Sequence, residues 1–537
     1  MKLVKSLLLG SAAGLCAAAG AQAADLPMRK AAPVEYVRVC TAHGAGFFYI
    51  PGTDTCLRVG GRARFEYQYT SNTARSYNNS AYRGLARLNI DARTQTAYGT
   101  LRAFVRLEVA SRTGGYLYSG SSLRSPTSFA GVGQDTFGVS QKYVEVDKAF
   151  VNFAGFTAGR AASFFDFYAH DVEMIGSSVG SDVSSTNLFA YTATFGGGLS
   201  ATIAAEDPTF RRVPVFSNGA SGGINTAAYT GATAAGGSFV IGGTPLAGIG
   251  NGFNGLGVPT SIIALDVQQR SKMPDVVGAI QYDATWGAAK VSGAVHEIRV
   301  GSYTGAPIAI NGGPVSAATV RIPSAEYGWA VQGGLKLNAP QIAPGDVFWL
   351  QAAYGQGSLS YTGISSGWGG YDTQTTGNNA TASATTLTDL AYDAQGRAHL
   401  TESYSGTVAF LHYWTPEVRQ GMFATHGQTR YDSILRTSYG AFSGALGTAT
   451  PSTANSFNPT LRSFGITYVG SNLIWSPVRD LDIGIEVVYQ RVDYRGRVAD
   501  GTRGGTAAIA GTTVAGSGRT TSTDDNILAR FRVQRDF

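Results

Sequence analysis

The chain has 537 residues with 71 Gly, 27 Tyr and 26 Phe, and only 14% of it is charged, against about 25% in ordinary soluble chains. Its net charge of +6 comes from 33 Arg and only 8 Lys, and falls to +4 without Lys2 and Lys5, too little over so long a chain for a nucleic-acid footprint. Mean hydropathy is −0.01, and no segment beyond the first residues approaches the ~20 continuous apolar residues of a helical span.

In chain order, Lys2 and Lys5 precede the apolar run Leu7–Ala19, and Ala21-Gln22-Ala23 offers a small-x-small cleavage site. Residues 1–23 therefore read as a secretory signal peptide, since the run is short for a membrane anchor and lacks a stop-transfer flank. Cys16 leaves with it, so the exported chain keeps Cys40 and Cys56, with Gly44, Gly46 and Pro51-Gly52 between them. Two cysteines in an oxidising compartment read as a disulfide closing an N-terminal periplasmic segment, 24–56, the alternative being two free thiols.

From residue 57 onward the chain alternates apolar and polar residues in short runs. The first strand expected is Leu57–Tyr69, with Leu57, Val59, Ala63, Phe65 and Tyr67 on one face and Arg58, Arg62, Arg64 and Glu66 on the other. Then follow Tyr82–Thr94, Tyr98–Ala110, Tyr143–Phe153, Phe156–Arg160, Leu188–Thr194, Leu199–Ala205, Asp275–Ala284, Ala289–Ile298, Glu326–Asn338 and Asp346–Gln356. Tyr404–Trp414, Gln420–Thr429, Ser463–Trp475, Leu481–Val492 and Ile527–Phe537 bring the set to sixteen. The gaps alternate between short turns, such as Ser476–Asp480, and long polar stretches at about 70–81, 111–142, 161–187, 206–274, 299–325, 357–403, 430–461 and 493–526. That rhythm predicts an all-β, transmembrane, antiparallel up-and-down barrel over 57–537, with short periplasmic turns and long external loops. Ile527, Ala529, Phe531, Val533 and Phe537 would face lipid, and Arg530, Arg532, Gln534 and Asp536 the lumen.

Catalytic and metal chemistry find little support. The six histidines show no H-x-x-x-H or H-E-x-x-H spacing, so no zinc site or other cofactor is expected. His170 beside Asp171 does not make a triad, because sequence proximity says nothing of geometry. Gly250–Gly255 lacks the Lys-Ser/Thr of a phosphate loop, and Asp524-Asp525 reads as solvated loop acid.

Several segments resemble alphaproteobacterial porins of the rhizobial type. They are Arg38-Val39-Cys40, Gly46–Thr53 and Thr55–Gly60 near the N-terminus, then Gly155–Arg160 with Ser163-Phe164-Phe165-Asp166. Pro274–Val277, Gly345–Phe348 and Leu473–Val478 resemble the same family. The departure is the loop at 206–274, longer than expected and rich in Gly, Ala and Thr. The resemblance implies a trimeric sixteen-stranded channel for passive diffusion of small hydrophilic solutes and ions, in the outer membrane of a Gram-negative cell, among lipid and lipopolysaccharide.

The residues themselves also point to a pore. Arg62, Arg64, Arg87, Arg93, Arg102 and Arg106 fall on the polar faces of the first three strands, opposite Leu88, Ile90, Leu101, Val105 and Leu107. Like charges on adjacent strands repel in a dry core, so the interior must be wet or supply carboxylates. Asp166, Asp171, Glu173 and Asp182 follow the fifth strand. From position alone they either decorate a solvated external loop or belong to a loop, about 161–187, that folds inward. The resemblance favours the second, setting acid against arginine across a narrow eyelet. Phe537 ends an aromatic-alternating strand that resembles the signal read by barrel-assembly machinery. A sugar-selective channel or a secreted β-rich adhesin are the alternatives. The first would line its lumen with an aromatic track, and the second would show a fixed repeat.

Overall fold

The structure, a computed structural model, describes residues 38–71, 79–113, 141–213, 216–218, 240–241, 244–245, 248–253, 259–266, 272–299, 325–364, 387–392, 398–435, 463–499 and 520–537. The expected signal peptide lies outside the described residues, as does most of the stretch at 206–274.

Residues 38–58 belong to an N-terminal unit of their own. Cys40 and Cys56 are disulfide-bonded, and with Phe47 they form a small apolar cluster against which Tyr49 packs. Phe48 and Tyr49 pair antiparallel with Leu57 and Cys56, and the Arg38 guanidinium lies 4.9 Å from the Tyr49 ring centroid.

The larger unit is a closed antiparallel barrel of sixteen strands. They are β1 (Cys56–Thr70), β2 (Ser80–Thr96), β3 (Gly99–Thr113), β4 (Gln141–Phe153), β5 (Phe156–Ala161), β6 (Thr186–Gly196), β7 (Leu199–Glu206) and β8 (Asp275–Ala284). The second half comprises β9 (Gly287–Ile298), β10 (Glu326–Asn338), β11 (Val347–Gln356), β12 (Glu402–Thr415), β13 (Val418–Arg430), β14 (Phe464–Val478), β15 (Leu481–Ala499) and β16 (Thr520–Asp536). Each pairs with its sequence neighbour, and β1 closes on β16 from Arg62↔Asp536 to Thr70↔Leu528. Closure leaves no open edge to satisfy in hydrocarbon.

The period of two sorts the side chains. On β8, Asp275, Val277 and Ala279 are buried while Val276, Ile280 and Tyr282 are exposed; on β15, Ile485 and Val487 face out while Glu486 and Val488 are buried. So many exposed apolar side chains make sense only against lipid. Exposed Tyr98, Phe195, Trp286, Trp414 and Trp475 cluster at the short turns, as an aromatic girdle at one membrane interface does.

Two boundaries depart from expectation. The last hairpin continues to Ala499 and resumes at Thr520, because its ladder still pairs Val498 with Thr521 beyond the residues read as strand. Pro477 sits in a register shift at the end of β14, so the turn contracts to Arg479 and Asp480, the latter left-handed at φ 63°. The stretch after β7 holds a three-stranded antiparallel sheet of Phe216–Asn218, Gly248–Phe253 and Pro259–Asp266.

Candidate functional site

Residues 162–185 run inward along the barrel wall. The Phe165 carbonyl accepts from Ser292 Oγ on β9 (2.8 Å) and Gln332 Nε2 on β10 (2.9 Å). The Tyr168 N–H donates to Gln351 Oε1 on β11 (2.9 Å), and the Val179 N–H to Thr425 Oγ1 on β13 (3.1 Å). The Val172 carbonyl accepts from Asn472 Nδ2 on β14 (2.6 Å), while Glu486 on β15 takes the N–H groups of Met174 (2.6 Å) and Ile175 (2.7 Å). The Met174 carbonyl receives Arg530 Nη1 on β16 at 2.8 Å, and Arg532 as well. Loop backbone that would otherwise lose water is thus paired strand by strand.

Apolar packing reinforces those bonds. Tyr168, Val172, Ile175 and Val179 of the loop cluster with Trp349, Phe423, Tyr468, Val488 and Leu528 on the inward faces of β11–β16. Each such side chain contributes about 1.5–3 kcal/mol on full burial. The stretch at 357–403, expected as an external loop, also folds in where it is described. Leu359–Thr362 form a buried 3-10 turn, and Gly363, left-handed at φ 80°, lies against Gly180 so closely that a Cβ would meet backbone.

The inner face of β1–β4 is charged instead. Arg62 donates to Asp536 (2.6 Å), Arg64 to Gln534 (2.9 Å), Arg106 to Asn89 (3.0 Å) and Asp147 (3.2 Å), and Arg87 pairs with Glu108. Arg93 and Arg102 both hold Asp91, at 2.8 and 2.9 Å. The carboxylates that pair with these arginines come from the wall itself, not from the loop acids. Cross-strand register explains why, since Arg87 opposes Glu108 and Asn89 opposes Arg106 on one face. Sequence reading missed Asp91, Glu108 and Asp147 as partners, although they share the alternating pattern that singled out the arginines. It also missed a hub. Glu66, with a fully buried side chain, is surrounded by Arg83, Arg532 (its Nε at 2.7 Å), Arg64 (3.7 Å) and Arg530 (3.7 Å). Phe104 and Phe150 pack at a tilt beside the guanidiniums, with Arg102 5.0 Å and Arg106 5.5 Å from the Phe104 centroid.

The four loop acids divide into two pairs. Asp166 is turned into the loop, bonded by Ser181, the Val183 N–H (2.6 Å) and Arg211 (3.0 Å). Glu173 is fully buried as a side chain, accepting from the Ser177 (2.7 Å) and Ser178 (3.0 Å) N–H groups and facing His170 at 3.3 Å. Burial alone would raise its carboxyl, but His170 and the Ser178 bonds hold it below the ordinary range. Asp171 and Asp182 remain exposed. Asp171 follows two left-handed residues, Ala169 and His170, and removal from bulk water pushes its carboxyl up to about 6 against the pull of Lys336 and His170. Asp182 lies 3.6 Å from His170 Nε2.

Three Gly-x-Ser-x-Gly strings occur, at 176–180, 219–223 and 363–367. The second lies outside the described residues. The first sits within the inward loop and the third begins on Gly363 at the end of a 3-10 turn, where a nucleophile elbow would need the end of a strand.

A closed barrel with a charged inner wall, greasy outside and narrowed by an inward loop, defines a membrane channel. Its sequence agrees: the profile of the porin subfamily matches residues 25–517, and the chain belongs to that family. It is 33% identical to porin Omp2b of Brucella suis over 384 residues, covering 65% of this chain and 84% of that one. Porin Omp2b of Brucella abortus (strain 2308) is 32% identical over 379 residues, with the same coverage of 65% and 84%. The crystal structure of the outer membrane channel DcaP of Acinetobacter baumannii superposes with a TM-score of 0.51 at 13% identity, covering 91% of this chain and 99% of that one, a likeness of fold.

Proposed function

We propose that this porin is a water-filled outer-membrane channel for passive diffusion of small hydrophilic solutes and ions, constricted by residues 162–185. Asp171 and Asp182 present negative charge on the loop side of the passage. Arg62, Arg64, Arg87 and Arg106 present positive charge on the wall, with Arg93 and Arg102 toward the short-turn end. The observation that carries this reading is the division of the lumen: the loop is pinned to β9–β16, while the inner face of β1–β4 keeps a dense array of charge. Such an array favours polar solutes that retain their hydration and disfavours greasy ones. Asp166 and Glu173 shape the loop; they do not line the passage.

In this reading the chain works in transport, without catalysis or cofactor. Residues 1–23 direct export, 24–56 form a periplasmic segment, and 57–537 insert with the help of assembly machinery that reads the strand ending at Phe537. The membrane partners are lipid and lipopolysaccharide, and the assembly is a homotrimer. Liposome swelling tests the transport claim. Proteoliposomes should swell in small sugars, with rates that fall steeply as sugar size grows; equal rates with and without protein would refute it, and rapid swelling in one sugar alone would favour a selective channel.

A further inference from the structure

The long stretch after β7 has no part in the reading above, yet its first residues reach the neck of the inward loop. Asp207 caps a 3-10 turn, Pro208–Phe210, by accepting from the Thr209 N–H at 3.0 Å, and the turn delivers Arg211. The Arg211 guanidinium donates from Nη1 to Ser181 Oγ (2.8 Å) and from Nη2 to Ser163 Oγ (2.7 Å) and Asp166 Oδ1 (3.0 Å). Ser163 and Asp166 lie on the limb entering the lumen and Ser181 on the limb leaving it, and the Ser163 N–H meets the Val183 carbonyl (3.1 Å) between them. The same guanidinium stacks 3.9 Å from the centroid of Tyr361, on the second inward-folded stretch.

We infer that Arg211 is the clasp of the constriction: one cation from the following loop ties both limbs of residues 162–185 to each other and to Tyr361, and so fixes the cross-section of the pore. The charge arithmetic requires a cation here. Asp166 and Glu206 are both buried at this neck, Glu206 accepting from Ser163 Oγ (2.7 Å) and the Phe164 N–H (2.9 Å), while the nearby Lys290 ammonium bonds the Asp166 carbonyl and not its carboxylate. Without Arg211 two desolvated acids share the neck with no guanidinium between them, and the limbs are driven apart. The planar fork also matters, because a lysine at this position cannot serve two serines and a carboxylate in one plane. Arg211 is therefore a positioning residue, acting on the passage through the loop it holds.

This inference rests on the channel reading, and single-channel recording separates the two failures: a parent that gives no steps sinks the channel, whereas variants are judged only against a conducting parent. R211Q should keep its heat-modifiable migration on gels but lose the single uniform open level, showing sublevels, higher open-channel noise and a larger mean conductance. R211K should recover part of the uniform level, and the S163A/S181A double variant, which removes no charge, should show a milder form of the same noise. A pure stability role would instead lower the temperature of heat modification and leave the open level uniform. R211Q and S163A/S181A channels with the parent's level and noise would overturn the clasp; if R211Q fails to insert, the S163A/S181A record decides alone.

Discussion

Replacing Asp171 and Asp182 together by Asn removes the two exposed loop charges while leaving the buried pair Asp166 and Glu173 to hold the loop. A unit charge about 8 Å from an ion's path contributes about 0.5 kcal/mol at the dielectric of water, and about twice that where the wall halves the effective dielectric. Screening over one Debye length, about 8 Å at physiological salt, leaves about a third of this. Some 0.2–0.4 kcal/mol per charge acts with opposite sign on cations and anions. Two charges, each acting oppositely on the two ions, should then raise the anion-to-cation permeability ratio by about four- to fifteenfold. The assay is the reversal potential of D171N/D182N channels in planar bilayers under a KCl gradient. D166N and E173Q serve as the contrast, since they should disturb open-channel noise more than selectivity. An unchanged reversal potential in D171N/D182N, or a larger shift in D166N than in the double variant, would refute the division of the four acids.

Four further outcomes follow from the same geometry. Because Asp171 titrates near 6, acidifying the bath through that value removes its charge, so parental channels should shift toward anions as pH falls while D171N channels shift less. E66Q leaves Arg64, Arg83, Arg530 and Arg532 without their shared carboxylate and should cost about 3–5 kcal/mol, lowering the temperature of heat modification on gels. F537D should reduce heat-modifiable protein in outer-membrane fractions, because the Phe537 N–H and carbonyl pair with Gly61 where β16 closes on β1 and its ring lies against that glycine. C40S/C56S should loosen residues 38–58 by about 3 kcal/mol in the chain-entropy model for a separation of 16 residues, read as faster proteolysis of that segment.

The barrel was legible because its signal is local. A period of two and a turn residue declare themselves within ten residues, and the alternation at Ile527–Phe537 or Leu57–Tyr69 needs no tertiary partner to be read. The inward course of residues 162–185 was only half legible. Its acids raised the possibility, but which acids face the water depends on partners distant in sequence, such as Arg211 for Asp166 and the loop's own Ser177 and Ser178 for Glu173. One clue lay in plain view. Tyr468, Val488 and Leu528 occupy inward positions that an aqueous wall would fill with polar residues, and apolar side chains there imply something packed over them. The wall arginines were found by alternation, but pairing the positions of adjacent strands was needed to see that Asp91 and Glu108 already oppose them. Nothing local marks Arg211, since it lies five residues beyond the end of a strand in a stretch whose composition reads as loop.

The central claim is a passive aqueous passage narrowed by a fixed loop, and single-channel conductance of the purified, reconstituted protein tests it most directly. The account predicts stepwise insertions with an ohmic open level whose conductance rises in proportion to the conductivity of the bathing salt. Bilayers that stay silent, or a conductance that saturates at low salt as at a tight binding site, would contradict it.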